Sequence, residues 1–223
     1  MNNFIVKIIL KLHSFSYNWA SFFAKKVGKG IHPKHRLMNY HKFFVDNVSH
    51  NDIVLDLGCG NGVLTFDLAK KTKKVIGIDV NPEKIKLAKE NFSAPNIDYL
   101  VGDASKYPFN QKFDAIILSN ILEHIENRVE FLKSLTSAFA KASADKPKIL
   151  IRVPMINRDW ITLYKKELGL KWKSHNNHFI EYTLETFKKE IEQAGLFIQD
   201  YSVQFGEIWA VIKKYEQQHH NSK

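Results

Sequence analysis

The 223-residue chain carries 33 Lys and Arg against 23 Asp and Glu, a formal charge of +10, and is 44% apolar. That apolar share is too high for a disordered chain, and the length suits one domain with a small appendage. The single cysteine, Cys59, excludes a disulfide framework and a cysteine-rich zinc site, and it points to a reducing, cytoplasmic setting. Most of the excess charge lies in residues 1–50, where Lys7, Lys11, Lys25, Lys26, Lys29, Lys34, Arg36 and Lys42 face one acid, Asp46. Such a region suits an acidic partner (a membrane surface, a phosphorylated substrate or nucleic acid), or it is a solvated face.

In chain order, the first element is an amphipathic helix. Phe4, Ile8, Leu12, Phe15, Trp19, Phe22 and Phe23 recur at steps of three and four, and Lys7, Lys11, Ser14, Asn18, Ser21 and Lys25 fill the complementary steps. Lys7 and Lys11 interrupt the apolar run, so the segment fits neither a signal peptide nor a membrane-spanning helix. Its apolar face either packs as a lid or dimer element or lies on a membrane surface through residues 1–26.

From residue 51 short β-branched runs alternate with helical patterns. Strands are expected at Ile53–Leu57, Lys74–Ile78, Asp98–Val101, Phe113–Leu118, Lys148–Val153, Phe197–Gln204 and Ile208–Lys213. Helices are expected after Gly62, after Asn81-Pro82, from Asn127 to Lys141 and from Thr183 to Ala194. This alternation predicts a parallel sheet with helices on both faces. The last two strands, joined through Phe205-Gly206-Glu207, should form an antiparallel hairpin. The chain thus divides into a basic helical segment (1–50), an α/β domain (51–215) and a polar tail (216–223). Residues 154–182, rich in aromatic, His and basic residues and without a clear strand, form an insertion of the kind that serves function.

Polar groups gather where the strands end. "DLGCGNG" places Gly58, Gly60 and Gly62 behind the first strand, where a backbone without side chains can approach a ligand and the next helix aims its free N–H groups at it. The spacing is not that of the dinucleotide fingerprint, since Val63 stands where that motif has glycine. Asp79 ends the second strand, Asp103 the third, and Ser119 and Asn120 the fourth. In open α/β sheets this carboxyl rim is where ligands bind.

The segments "VLDLGCGNG", "GIDVNPE", "GDASKYPF" and "FDAIILSNILEHIEN" resemble the four motifs of the class I S-adenosylmethionine-dependent methyltransferases, over about residues 51–153 and more loosely to 213. The resemblance implies a Rossmann-like seven-stranded sheet of order 3-2-1-4-5-7-6 with strand 7 antiparallel. It implies S-adenosyl-L-methionine as cofactor and S-adenosyl-L-homocysteine as product. By that likeness Asp56, Gly58, Cys59 and Gly60 hold the methionyl part, and Asp79 with Val80 takes the ribose. Asp103 binds the adenine amino group with Ala104 beside the ring, and Ser119 and Asn120 line the sulfonium end. Cys59 itself is a packing residue rather than a nucleophile.

Acceptor-side candidates come from three places. Glu123 and His124 follow the fourth strand; Arg152, Asn157, Arg158 and Asp159 lie at and past the fifth; His175, His178, Glu181 and Tyr182 close the insertion. His178, Glu181 and His124 are the candidates for acid–base work, and no metal site is expected. Arg36, Tyr40 and His41 are candidates to close over the cofactor. The fourth strand lacks an Asn/Asp-Pro-Pro-aromatic run and no cysteine lies beyond it, which disfavours DNA base methylation. The expected reaction is methylation of a small-molecule acceptor, on oxygen, with a sugar or glycan, a lipid-linked or a quinone-like compound as candidates. RNA methylation, supported by charge alone, and a non-catalytic cofactor-binding scaffold are the alternatives.

Overall fold

The computed structural model describes residues 3–28, 32–107, 111–139 and 147–215. Helix α1 (Asn3–Val27) leads through two short helices, α2 (Lys34–Met38) and α3 (Tyr40–Asp46), into the sheet. There follow β1 (Ile53–Leu57), α4 (Val63–Ala69), β2 (Lys74–Asp79), α5 (Pro82–Asn91), β3 (Ile97–Val101), β4 (Ala115–Ser119), α6 (Arg128–Leu135), β5 (Lys148–Pro154), α7 (Trp160–Glu167), α8 (Leu184–Gln193), β6 (Leu196–Gln204) and β7 (Glu207–Lys214). The seven strands pair in the order β3-β2-β1-β4-β5-β7-β6. All neighbours are parallel except β7, which runs antiparallel to both β5 and β6. Strand order, hairpin and flanking helices are those expected.

The strands of the sheet's centre are buried on both faces, which is why they read as continuous apolar runs. Alternate residues feed two cores. Val54, Val75, Ala115, Ile117 and Leu150 pack under α3 and α4 with Phe44, Leu64 and Leu68. Leu55, Leu57, Ile78, Ile116, Leu118 and Ile151 pack under α6 and α8 with Phe131, Leu132, Phe187 and Ile191. This two-sided cover fixes the register and holds the carboxyl ends of β1 to β6 at one rim.

Three local readings change. Strand β4 begins two residues late because the Asp114 carboxylate turns back to accept the Ile53 N–H at 2.9 Å, leaving Phe113 in an isolated bridge to Phe139. That bridge also shortens α6, which ends at Leu135 in a 3₁₀ turn, Thr136–Ala138; Lys141 lies outside the described residues. The insertion contains a helix, α7, started by the Asp159 carboxylate accepting the Thr162 N–H at 2.6 Å.

Helix α1 docks by its narrow side. Leu10 is buried, Lys165 Nζ of α7 donates to Ser14 Oγ at 2.8 Å, and Ser21 Oγ lies 3.1 Å from His32 Nε2. The wide aromatic face points away from the domain, with Phe15 61% and Trp19 47% exposed. Within the single chain that face does not pack on the domain as a lid. The rings of Trp19, Phe22 and Phe23 contact one another instead.

Candidate active site at the carboxyl rim

The turn after β1 is built by the protein's own backbone. Gly58 and Cys59 N–H groups donate to Ile78 O at 2.7 and 2.9 Å, and Gly60 N–H donates to Asp79 Oδ2 at 3.0 Å. Asp79 Oδ1 accepts the Asn81 N–H at 2.9 Å, so one buried carboxylate pins both the glycine loop and the end of β2. The Cys59 side chain points down, against Ile85, Ala88 and Tyr99, and burial pushes its thiol up; it is core, and only the loop's backbone faces the rim.

The glycines have different reasons. A Cβ at residue 58 would fall 2.0 Å from Ile121 Cδ1, and one at residue 62 would fall 2.4 Å from Tyr99 Oη and 2.9 Å from Ala88 Cβ. Both exclusions come from the protein itself. At Gly60, with φ +59°, the same position is open space. That open cradle beside the buried Asp79 fits an extended ligand laid along the loop, which is the fit a nucleoside-bearing amino acid requires. Gly60→Ala should therefore cost only about 1–2 kcal/mol of stability through its left-handed backbone, yet lower S-adenosylhomocysteine affinity by at least about tenfold. Gly62→Ala should lose more stability in urea unfolding. Calorimetry on Gly60→Ala giving wild-type affinity would remove the ligand from this cradle.

Asp56, under the loop, accepts Thr65 Oγ1 at 2.6 Å. Burial lifts its carboxyl to about 7, the Thr65 bond opposing this and the Asp79 charge adding to it. Such a group gains from a cationic neighbour, as an amino-acid ammonium would be. Val80 is exposed, Ala104 packs on the main core, and Asp103 stands at the open edge. Bonds from the Ser105 hydroxyl and N–H hold the Asp103 carboxyl below the usual range. Asn120 sits at φ +55°, its N–H on Arg152 O at 2.8 Å and its buried Oδ1 without a hydrogen-bond partner. The rim thus brings Asp56, Gly60, Asp79, Asp103, Ser119 and Asn120 to the carboxyl ends of four adjacent strands.

The acceptor-side candidates separate into two groups. Glu123 and His124 lie in a 3₁₀ turn, Leu122–His124, and the insertion comes back over it: Phe179 N–H donates to Glu123 O at 2.8 Å. This brings His178 against His124, ring centroids 4.6 Å apart and edge-to-face. Burial lifts the Glu123 carboxyl to about 8, with Glu207 and Glu181 adding to this and Arg152 opposing it. Burial lowers His124, and the neighbouring His178 lowers it further.

Glu181 belongs elsewhere. It receives Arg158 on one oxygen and the Ser174 N–H on the other. Burial would raise its carboxyl, but the His178 ring, the Ser174 N–H and the Arg158 guanidinium outweigh that and bring it to about 2. It braces the insertion rather than serving as a base. Asp159 caps α7, and Arg158 pairs with Glu181 instead of facing the acceptor side. Tyr182 is core, donating to Glu190 at 2.7 Å.

Arg152, expected near the acceptor, is 2% exposed and consumed by Glu207, with Nη2 2.7 Å from Oε1, while the Tyr40 ring covers its guanidinium at 3.7 Å. His41 binds Asp67 at 2.7 Å, and Arg36 stays exposed on α2. Segments α2 and α3 therefore pack on the sheet through Tyr40 and Phe44 rather than through contacts the sequence foresaw.

Comparison with known proteins agrees with this geometry. Residues 54–141 match the family described as "Methyltransferase domain". The chain is 38% identical over 94 residues to an uncharacterized protein of Methanocaldococcus jannaschii, covering 40% of this chain and 36% of that one. It is 28% identical over 131 residues to a ubiquinone biosynthesis O-methyltransferase of Bradyrhizobium diazoefficiens, covering 56% and 49%. These alignments thus span half or less of each relative's length. Among solved structures, the DhpI–SAH complex superposes with a TM-score of 0.65 at 14% identity, over 90% of this chain and 95% of that one. The methyltransferase-domain match over residues 54–141 and the 3-2-1-4-5-7-6 sheet together support the resemblance to the class I S-adenosylmethionine-dependent methyltransferases.

Proposed function

We propose that the protein transfers the methyl group of S-adenosylmethionine to an oxygen atom of a small-molecule acceptor. The observation that carries this reading is the open backbone cradle at Gly60, flanked by the Asp79 carboxylate and continued by Asp103 and Asn120 along the rim. When bound, the cofactor supplies a methyl group on a sulfonium. Asp79 is positioned to take the ribose hydroxyls, Asp103 the adenine edge, and Asp56 favours the ammonium. Asn120 and the Glu123–His124 turn line the far end, where the acceptor must be held in line with the bond that breaks. The likeness to a ubiquinone biosynthesis O-methyltransferase supports oxygen as the acceptor atom. The test is incubation with methyl-labelled cofactor and fractionated cell extract. Label in low-mass or lipid compounds is expected, and label confined to RNA or protein overturns the reading.

We also infer a peripheral membrane contact through α1. No helix among the described residues is long and apolar enough to cross a membrane. The outward aromatic face of α1, bordered by Lys7, Lys11, Lys25 and Lys26, suits lying in a lipid interface rather than spanning it. Wild-type protein should co-sediment with phosphatidylglycerol-containing vesicles, and Trp19→Glu/Phe23→Glu should lower the bound fraction by about tenfold or more. Wild-type protein remaining in the supernatant would refute the contact.

A further inference from the structure

One buried atom beside the rim lacks a partner and a second has a poor one. Glu123 is 1% exposed with no hydrogen-bond partner at Oε2, and His178 is 5% exposed with an ion-pair contact from Nδ1 to Glu181 at 3.3 Å but no hydrogen bond there. Leaving such groups unsatisfied costs about 1–3 kcal/mol each, so a native site of this kind calls for an occupant. The third member is His124. Its Nδ1 lies 3.3 Å from Asn177 O, which places a proton there and leaves Nε2 bare.

The ligand atoms of Glu123, His124 and His178 all lie within 4.8 Å of one another. Three donors around one ion at bond lengths of about 2.1 Å sit about 3.4 Å apart. Closing the difference takes side-chain rotations of about 1 Å. A shared proton between Glu123 and His178 would need a direct hydrogen bond, and there is none. Glu123 acting alone as a buried base would leave the His178 nitrogen unexplained.

We propose that Glu123, His124 and His178 form a three-ligand site for a first-row divalent cation, with its remaining positions open to the cleft. Two imidazoles and one carboxylate suit zinc, iron(II), cobalt(II) or manganese(II) better than the all-oxygen preference of magnesium or calcium. The backbone is prepared for it: the Phe179 N–H bond to Glu123 O ties the insertion's His178 to the turn that bears the other two ligands. Asn177 O orients the His124 ring in the manner of an outer-shell partner.

The site's role rests on the methyl-transfer reading. An acceptor hydroxyl bound to the cation loses its proton to solvent at neutral pH. The oxygen then forms the new O–CH₃ bond as the S–CH₃ bond breaks, its electron pair returns to sulfur, and the cation ends unchanged. This narrows the acceptor to a compound with a metal-binding hydroxyl.

The test uses the full chain, stripped with a chelator and titrated with cobalt(II) chloride. Visible cobalt absorption and calorimetry should report one bound ion. Glu123→Gln and His178→Gln should each weaken cobalt binding by about tenfold or more, while S-adenosylhomocysteine affinity stays within about threefold of wild type. His124→Ala, at a half-buried position, repeats the test should either buried variant fail to fold. Protein that binds S-adenosylhomocysteine but gives no cobalt bands, or variants that bind cobalt as wild type does, overturns the site. Cobalt binding by the triad without any S-adenosylhomocysteine binding would instead uphold the site and overturn the methyl-transfer reading.

Discussion

Glu207→Ala should lower unfolding free energy by about 3–5 kcal/mol, because it strands the Arg152 guanidinium in the core. Arg152 sits on β5 with its side chain 2% exposed, and Glu207, 12% exposed, grips it through two oxygens. Tyr40 of α3 covers the same guanidinium, and Trp209 Nε1 donates to Glu207 Oε2 at 3.1 Å. Removing the carboxylate thus breaks the β5–β7 pairing of Arg152 with Glu207 and the Trp209 bond, leaving the guanidinium with the Tyr40 ring and Ser119 Oγ. The double variant Arg152→Met/Glu207→Leu should recover much of the loss, since it removes the stranded charge as well. Urea unfolding of the three proteins decides it; a single-variant cost below about 1 kcal/mol would mean that the guanidinium finds water.

Asp79→Ala should weaken S-adenosylhomocysteine binding by about 100-fold, near 2.7 kcal/mol. Two effects combine. In the proposed binding mode the ribose would lose a charged acceptor worth about 1.5–3 kcal/mol. The loop also loses the acceptor of the Gly60 N–H, so the open cradle is no longer held in shape. Asp79→Asn keeps a carbonyl oxygen for one of these bonds and should fall between. Calorimetry within threefold of wild type for Asp79→Ala would place the ribose elsewhere.

The strands were legible because each is a short apolar run ending in a polar group, a pattern that needs no long-range information, whereas their order came from the resemblance to the class I methyltransferases. Where an isolated side chain reached across the fold, the reading failed. Asp114 delays β4 by binding a backbone N–H of β1, and nothing local announces that. Helix α7 was within reach: Asp159 as a cap, Trp160 and Tyr164 on one side and Lys165 and Lys166 in the last turn form a complete local signature. For α1, periodicity gave the two faces correctly but could not say which one meets the domain. The polar stripe does, through Ser14 and Ser21.

At the site, the rim carboxylates were legible as strand ends. Glu181 was misread because its partner Arg158 lies in another part of the insertion. The Glu123–His124–His178 cluster has no spacing signature, since the fold alone brings its distant member home. The two stiffest glycines were explained by a ligand in the sequence, whereas Ile121 and Tyr99 already occupy the space.

Ile121 gives that last point a wider reach. A Cβ at residue 58 would lie 2.0 Å from its Cδ1, and the same residue directly precedes the turn that carries Glu123 and His124. Resizing this one side chain should therefore disturb the glycine loop and that turn together.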